Sequence, residues 1–403
     1  MILKMEVAHP FFDTTKHIVV VAGDYPASGH MMLVFVQQLV HAMIDKGAKI
    51  TVVAPQSIVH ALVHKEKMLP RFSSGRTDKG KSYLIHRPYY LTLGNHRLFQ
   101  RALQWINNQI LSRALSNLHP DILYCHFWSS AQLVQRFAIK NRCPIFVACG
   151  EGDNALEDMV KRCSLKELAS LSASVNGVIS VSSENKRKCI AYQLAKKESI
   201  IVLPNCVDTI LFRKKDASFL KKQLGIEEND FVITFVGGFI PRKGPDRVAE
   251  AIKLINDPSI KSIFIGRPFP GYPFEFDCPG IVFKGMVDHS KIPDYLSCAD
   301  IFVLPTQKEG CCNAIVEALS MGLPVISSNG SFNDDILDKD NSIRVSPNNV
   351  EELAQAIVKL RSDKKLRESM SKVSISRNEN YSVDGRAEKV LEFILLQLDK
   401  KRE

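Results

Sequence analysis

Short unbroken runs of apolar, mostly β-branched residues recur along this chain, each bounded by glycine, proline or polar residues. Residues 17–22 (HIVVVA) are the first, too short to be a helix and uniform enough to be a strand buried on both faces. A Gly/Pro/Ser loop follows at 24–29. The stretch 30–46 then places Met32, Phe35, Leu39, Ala42 and Met43 at helical spacing, Gly47 stops it, and 50–54 reads as a second strand. Strand, loop, helix, strand is the repeating unit of a parallel α/β sheet. Runs at 122–125, 145–148, 178–181 and 200–203 continue the pattern. After a charged, helix-like segment near 212–224 it restarts: strand 232–236, glycines Gly237 and Gly238, a helix over 245–256, and runs at 263–265, 281–284, 301–304 and 325–327. The expected organisation is two α/β domains with a boundary near 206–213 and a ligand cleft between them. A last helix, 383–400, gathers Leu391, Ile394, Leu395 and Leu398 on one face and has to dock against a domain.

At 403 residues, 45% hydrophobic and 24% charged, the chain has the makeup of a globular protein too long for a single core. No apolar run approaches the roughly eighteen residues that cross a bilayer. The run at 17–22 lacks the flanks of a signal peptide, so a cytoplasmic location is expected. Ten cysteines are scattered, apart from adjacent Cys311 and Cys312, and no C-x-x-C pair occurs. That excludes zinc-ribbon and thioredoxin readings and fits buried thiols in a reducing compartment. The net charge of +10 is concentrated: between residues 60 and 113 ten Lys or Arg face only Glu66 and Asp78. Such a segment either attracts phosphate, nucleic acid or anionic lipid, or is a solvated surface that keeps the protein soluble.

Two segments carry chemistry. In FVLPTQKEGCCNAIVEALSMGLPV (302–325), a strand ends at Pro305, a loop bears Glu309 and Gly310, and a helix begins near Asn313. A glycine-bearing turn before a helix N-terminus directs free N–H groups at an anion. Glu317, by contrast, lies in a helix that is apolar nearly all round, where a carboxylate demands polar partners; ribose hydroxyls would supply them, the alternative being a Glu on an exposed helix stripe. In FVGGFIPRKGPDRVAEAI (235–252), a strand runs into two glycines, and Arg242 and Lys243 precede Gly244 and a helix. Two such cations can neutralise a diphosphate. The segment is neither a Walker loop nor a G-x-G-x-x-G fingerprint, which weakens ATP and NAD readings.

Together these segments resemble the retaining glycosyltransferases of family 4 (glycosyl transferases group 1), whose pattern is Glu, seven residues, Glu: here Glu309 and Glu317. The resemblance extends to YPASGHMMLVFVQQL (25–39), LPNCVD (203–208), KGMVDHSKIPDYLSCADIFVLP (284–305) and SNGSFNDDIL (328–337). It implies a GT-B-type fold, two Rossmann-like α/β/α domains with parallel sheets facing a central cleft. These would be an acceptor domain at 1–207, a nucleotide-sugar donor domain at 208–380, and a C-terminal helix, 381–403, packing back on the first domain. It further implies that Arg242 and Lys243 hold the donor diphosphate and that Glu309 bonds the donor sugar. The Gly237–Gly238 turn and the backbone of Gly310, Cys311, Cys312 and Asn313 would support sugar and phosphates, and Glu317 would take the ribose. Gly29 would face the diphosphate from the first domain, and Met286 and Val287 would lie by the base. No cofactor or metal is expected, because the cations do the electrostatic work. The implied donor is a UDP-sugar, with a GDP-sugar second. The implied acceptor is a lipid-linked or soluble glycan of bacterial capsule, exopolysaccharide or lipopolysaccharide synthesis, with the basic segment against the inner face of the cytoplasmic membrane and no nucleic acid partner.

Two departures stand out. Gly238 occupies a position where many members carry Arg. After strand 145–148 the chain reads CGEGDNA, with Gly150 and Glu151 where many members have a His. Glu151 or Asp153 are acceptor-side candidates, as is His126 at an earlier strand end; an ordinary turn and a packed histidine are the alternatives. Two other functions fit the architecture, a non-hydrolysing nucleotide-sugar epimerase and a non-catalytic nucleotide-sugar or polyanion-binding protein. The Glu–Glu segment argues against the first, while the missing His keeps the second in play.

Overall fold

The structure is a computed structural model, described here for residues 15–27, 33–65, 67–91, 97–152, 154–269, 271 and 273–400. Its first sheet contains β1 (His17–Val21), β2 (Lys49–Val53), β3 (Phe72–Arg76), β4 (Ser82–His86), β5 (Ile122–His126), β6 (Ile145–Cys149), β7 (Val175–Ser180) and β8 (Ile200–Val202). They run in the order β8-β7-β6-β5-β1-β2-β4-β3, all pairs parallel except β3 with β4. The second sheet orders β9 (Phe231–Val236), β10 (Ile260–Ile265), β11 (Ile281–Gly285), β12 (Ile301–Leu304), β13 (Val325–Ser328) and β14 (Ser342–Val345) as β11-β10-β9-β12-β13-β14, entirely parallel.

The helices that matter below are α1 (Val34–Asp45), α2 (Ile58–His64), α3 (Arg97–Ser116), α4 (Trp128–Asn141), α5 (Ser183–Ala191), α6 (Pro245–Ile255), α7 (Asn313–Ser320) and α8 (Val383–Asp399). Alternation along β1 divides the first core into two layers. Ile18 and Val20 pack with Leu39 and Met43 of α1 and with Val390 and Ile394 of α8. Val19 and Val21 point the other way, onto Leu111 and Leu115 of α3 and Trp128 and Val134 of α4. Both faces of the strand are covered, which is why its sequence reads as unbroken apolar. The final helix thus docks on the first sheet, as its apolar stripe requires. Lys46 meets Glu388 at 2.9 Å, and the buried Arg386 guanidinium bonds the carbonyls of Leu203 and Pro204.

The basic segment is more structured than its composition suggests. It includes β3 and β4, an antiparallel pair turning at Gly80 (φ 82°), with β3 at the sheet edge. Arg87 is buried, with its guanidinium on Ser73 Oγ at 2.7 Å and the Pro26 carbonyl at 3.3 Å, so it does not belong to the charged surface. The helix-like stretch near 212–224 narrows to Ser218–Gln223. Asp208 accepts from the amides of Ile210 and Leu211, and Asp216 from the amide and hydroxyl of Ser218, so turns occupy the earlier positions.

Candidate functional site

β9 ends at Val236 and the chain turns through Gly237 and Gly238 towards α6. Gly244 caps that helix at φ +76°, a left-handed conformation that suits glycine, and Pro245 opens its first turn. Arg247 secures the turn: its guanidinium donates to the carbonyls of Pro241 at 2.7 Å and Pro305 at 2.9 Å, tying the loop after β9 to the end of β12. Arg242 and Lys243 are thereby carried to Glu309. One oxygen, Glu309 Oε1, accepts from Lys243 Nζ at 2.6 Å, Thr306 Oγ1 at 2.7 Å and Arg242 Nη1 at 3.0 Å. Arg242 also reaches the Lys308 carbonyl at 2.6 Å. Burial works against the Lys243 ammonium, but the Cys312 sulfur and the Glu309 carboxylate more than reverse it, and its pKa moves up. Lys243 is therefore a cation at neutral pH.

The loop from Glu309 to Asn313 presses against the first half of the molecule. A Cβ on Gly310 would stand 2.7 Å from the Gly150 carbonyl oxygen, so this contact excludes any other residue without movement. Cys311 and Cys312 are buried, and the backbone of Cys311 is held from the linker: Asn205 Nδ2 donates to its carbonyl at 3.0 Å and to Asn313 Oδ1 at 2.7 Å. Lys308 Nζ reaches Asn154 Oδ1 at 2.6 Å. Farther along the cleft, Asp335 accepts from the amide and hydroxyl of Ser183 at 2.6 Å, capping α5, and Ser331 donates to Glu184. The two sheets are held together by polar contacts at the cleft rim.

Glu317, on the next turn of α7, belongs to a second cluster. Its Oε1 lies 3.0 Å from His289 Nε2. A hydrogen bond to Glu317 raises the His289 pKa by more than burial lowers it. The pair lines a cavity of about 260 Å³ together with Asn313, the linker residues Cys206, Val207 and Asp208, and Leu33 to Phe35 of the first half. The demand for a partner that the apolar surroundings of Glu317 implied is thus met in part by a side chain of this protein. Sequence reasoning missed His289, which is 28 positions away on a turn between β11 and the helix Ile292–Ser297. Just before it, Met286 and Val287 line a separate, more open cavity of about 690 Å³ with Phe219, Leu220 and Tyr295. The stretch from Met286 to His289 therefore runs between the two cavities.

Of the remaining candidates, Gly29 and Asp153 lie outside the described residues. Glu151 is partly buried, and its Oε1 accepts from the Trp128 amide at 2.7 Å, so it caps α4; desolvation raises its pKa. His126 is buried between Phe35 and Phe127, with ring centroids at 5.4 and 4.2 Å, and neither ring nitrogen has a hydrogen-bond partner among the described residues. Burial, with Arg386 nearby, pushes its pKa down to about 3, so the imidazole is neutral. Gly238 has room beside it: an added Cβ would meet the Phe269 ring at 3.6 Å.

Known proteins resemble this chain in sequence and in fold. Residues 32–211 match the family model described as Glycosyltransferase Family 4, and residues 216–377 the one described as Glycosyl transferases group 1. The putative teichuronic acid biosynthesis glycosyltransferase TuaC of Bacillus subtilis is 25% identical over 336 residues, 81% of this chain and 84% of the relative. The UDP-Gal:α-D-GlcNAc-diphosphoundecaprenol α-1,3-galactosyltransferase of Escherichia coli is 30% identical over 201 residues, 47% of this chain and 52% of the relative. Among solved structures, sucrose-phosphate synthase from Thermosynechococcus elongatus superposes with a TM-score of 0.74 at 15% identity, covering 96% of this chain and 100% of that one. HepE of Anabaena in complex with UDP-glucose gives 0.67 at 16%, covering 94% and 99%. With both halves matched in chain order and the GT-B architecture shared over nearly the whole length, the chain belongs to the glycosyltransferases of family 4, which are retaining enzymes that use nucleotide sugars.

Proposed function

We propose that this protein transfers a sugar from a nucleotide diphosphate donor, a UDP-sugar ahead of a GDP-sugar, to a lipid-linked or soluble glycan of bacterial capsule, exopolysaccharide or lipopolysaccharide synthesis. The observation that carries the reading is the meeting of Arg242, Lys243 and Thr306 on one oxygen of Glu309, beside the Gly310 loop at the start of α7. Support for the substrates comes from the relatives: one is named for teichuronic acid biosynthesis and one for UDP-Gal and a diphosphoundecaprenol acceptor, and HepE is solved with UDP-glucose.

In the proposed reaction the donor diphosphate takes Arg242 and Lys243 from Glu309, which turns to hydroxyls of the sugar. The bond from the anomeric carbon to the diphosphate breaks with its electron pair on the phosphate oxygen, where the two cations stabilise the developing charge. That oxygen accepts the acceptor hydroxyl's proton, and the new bond forms on the same face of the sugar. Backbone amides from Gly310 to Asn313 and the Gly237–Gly238 turn support the phosphates, Glu317 holds the ribose, and Met286 and Val287 flank the base. No step calls for a metal ion or a protein base. We assign acceptor binding to a domain of residues 1–207, the donor to 208–380, and to 381–403 the return to the first domain.

The acceptor side is assigned to the face that carries Lys65, Lys67, Arg71, Arg76 and Lys79, all exposed, next to exposed Leu62, Val63 and Phe72. No helix among the described residues is long and apolar enough to cross a membrane. Cations interleaved with exposed apolar side chains suit the surface of an anionic bilayer, which supports our assignment of the protein to the cytoplasm, peripheral to the inner face of its membrane. Release of free nucleotide from a panel of nucleotide sugars, with and without glycan acceptor, tests the activity. Glu309→Gln is expected to abolish acceptor-dependent release while leaving the circular dichroism spectrum unchanged; wild-type turnover in that variant overturns the assignment.

A further inference from the structure

We infer that His289 is a positioning residue for the donor's nucleoside, holding the Glu317 carboxylate in place and presenting a cation to the same inter-sheet cavity. The inference rests on the proposed donor site and deepens it. His289 Nε2 stands 3.0 Å from Glu317 Oε1, and the ring packs against the wholly buried Phe212 with centroids 5.3 Å apart. The imidazole is thus fixed on one side by an aromatic wall and on the other by a carboxylate. Glu317 is mostly buried while His289 keeps about a third of its side-chain surface, 12% against 36% exposed. A bonded carboxylate still has lone pairs to accept a ribose diol, and the bond to His289 removes the rotational freedom that would otherwise be lost when the diol binds.

The cavity that the pair lines, about 260 Å³, lies just below the range of ligand pockets, roughly 300–1,000 Å³, which suits the ribose end of a nucleoside rather than a whole nucleotide sugar. Its opposite wall is α1 with the residue before it, contributing Leu33, Val34, Phe35 and Gln38, none of which titrates. The titratable groups facing the ring are Glu317 from α7 and Asp208 and Cys206 from the linker; Cys206 is a buried thiol whose pKa burial raises, so it stays neutral. The two carboxylates raise the His289 pKa above its ordinary value. The folded-state pKa is raised, so the cation is fully present below about pH 6.5 and is lost as pH climbs through the shifted value. A nucleoside diphosphate sugar is an anion throughout this range, and it binds more tightly while His289 is charged.

The test is calorimetric titration of the wild type, His289→Gln and His289→Phe between pH 6 and 8.5. The probe is whichever of UDP-glucose, UDP-N-acetylglucosamine or GDP-mannose the wild type binds; none of these diphosphate diesters ionises in that interval. Wild-type affinity is expected to fall with rising pH. His289→Gln, which keeps a donor but no charge, should bind with a flat profile, and His289→Phe about tenfold more weakly than wild type at pH 6.5. In turnover the loss should appear in the donor KM and leave kcat within about twofold. A wild-type pH slope retained in His289→Gln overturns the role of the histidine alone. A wild type that binds none of the three nucleotides overturns the donor assignment, and this inference with it.

Discussion

Arg242 and Lys243 share an acceptor on Glu309, but they are not equivalent. The Lys243 side chain keeps 16% of its surface exposed and the Arg242 side chain 28%, and Lys243 makes the shorter bond, 2.6 Å against 3.0 Å. A cation in less water is worth more to a developing negative charge. Lys243→Ala is therefore expected to lower kcat about a hundredfold, the scale of losing one well-placed donor, and Arg242→Ala by less; steady-state kinetics at saturating donor would show the order. These residues were legible in the sequence because glycines and a helix start flank them, a pattern with a local electrostatic meaning. His289 was not, since no neighbour on its own turn marks it and its partner arrives from another element. The burial of Glu317 was read correctly, but a carboxylate's need for a partner does not say whether protein or ligand meets it.

Where the two halves meet, Gly310 leaves little tolerance against the loop that follows β6. A methyl group 2.7 Å from the Gly150 carbonyl cannot be accommodated without separating the two loops. Gly310→Ala is expected to raise the donor KM several-fold and to lower the melting temperature by a few degrees, about what 1 kcal/mol does to a protein of this size or larger; thermal melting with and without nucleotide sugar measures both. Wild-type KM would mean that the loops do not close on the donor. Elements buried on both faces announced themselves as apolar runs, and all the interior parallel strands assigned from the sequence are present. β3 did not, because an edge strand reading FSSGR needs no apolar run, with exposed residues at alternate positions. The stretch before Ser218 misled for a different reason. The short acidic side chains of Asp208 and Asp216 give the backbone turn partners that a reading of charge and pattern does not record.

For the whole molecule, the distribution of charge matters more than its total. With Arg87 withdrawn into the interior, the exposed cations near α2 and β3 lie beside Leu62, Val63 and Phe72, while Trp105 and Ile106 are exposed on α3. Binding to vesicles rich in anionic lipid is expected at low salt and should weaken steeply by 0.5 M, where the screening length is roughly 4 Å. Leu62→Ser with Trp105→Ala should weaken it at every salt concentration. Sedimentation that shows no binding at low salt, or binding indifferent to salt, refutes the membrane assignment. Composition could locate this charge but not orient it; only the fold separates Arg87 from its neighbours. The return of α8 has a consequence in time. Lys46 meets Glu388 across 342 positions of chain, and Val390 and Ile394 complete the layer under Ile18 and Val20. As the polypeptide leaves the ribosome, the first sheet emerges with one side covered only in part, by α1, and it stays so until the second sheet and then α8 have been made. The half synthesised first is the half finished last. A nascent chain halted before residue 383 is accordingly an object for chaperones, sticky on the side where α8 belongs, whereas the second sheet can close on itself as soon as it is out.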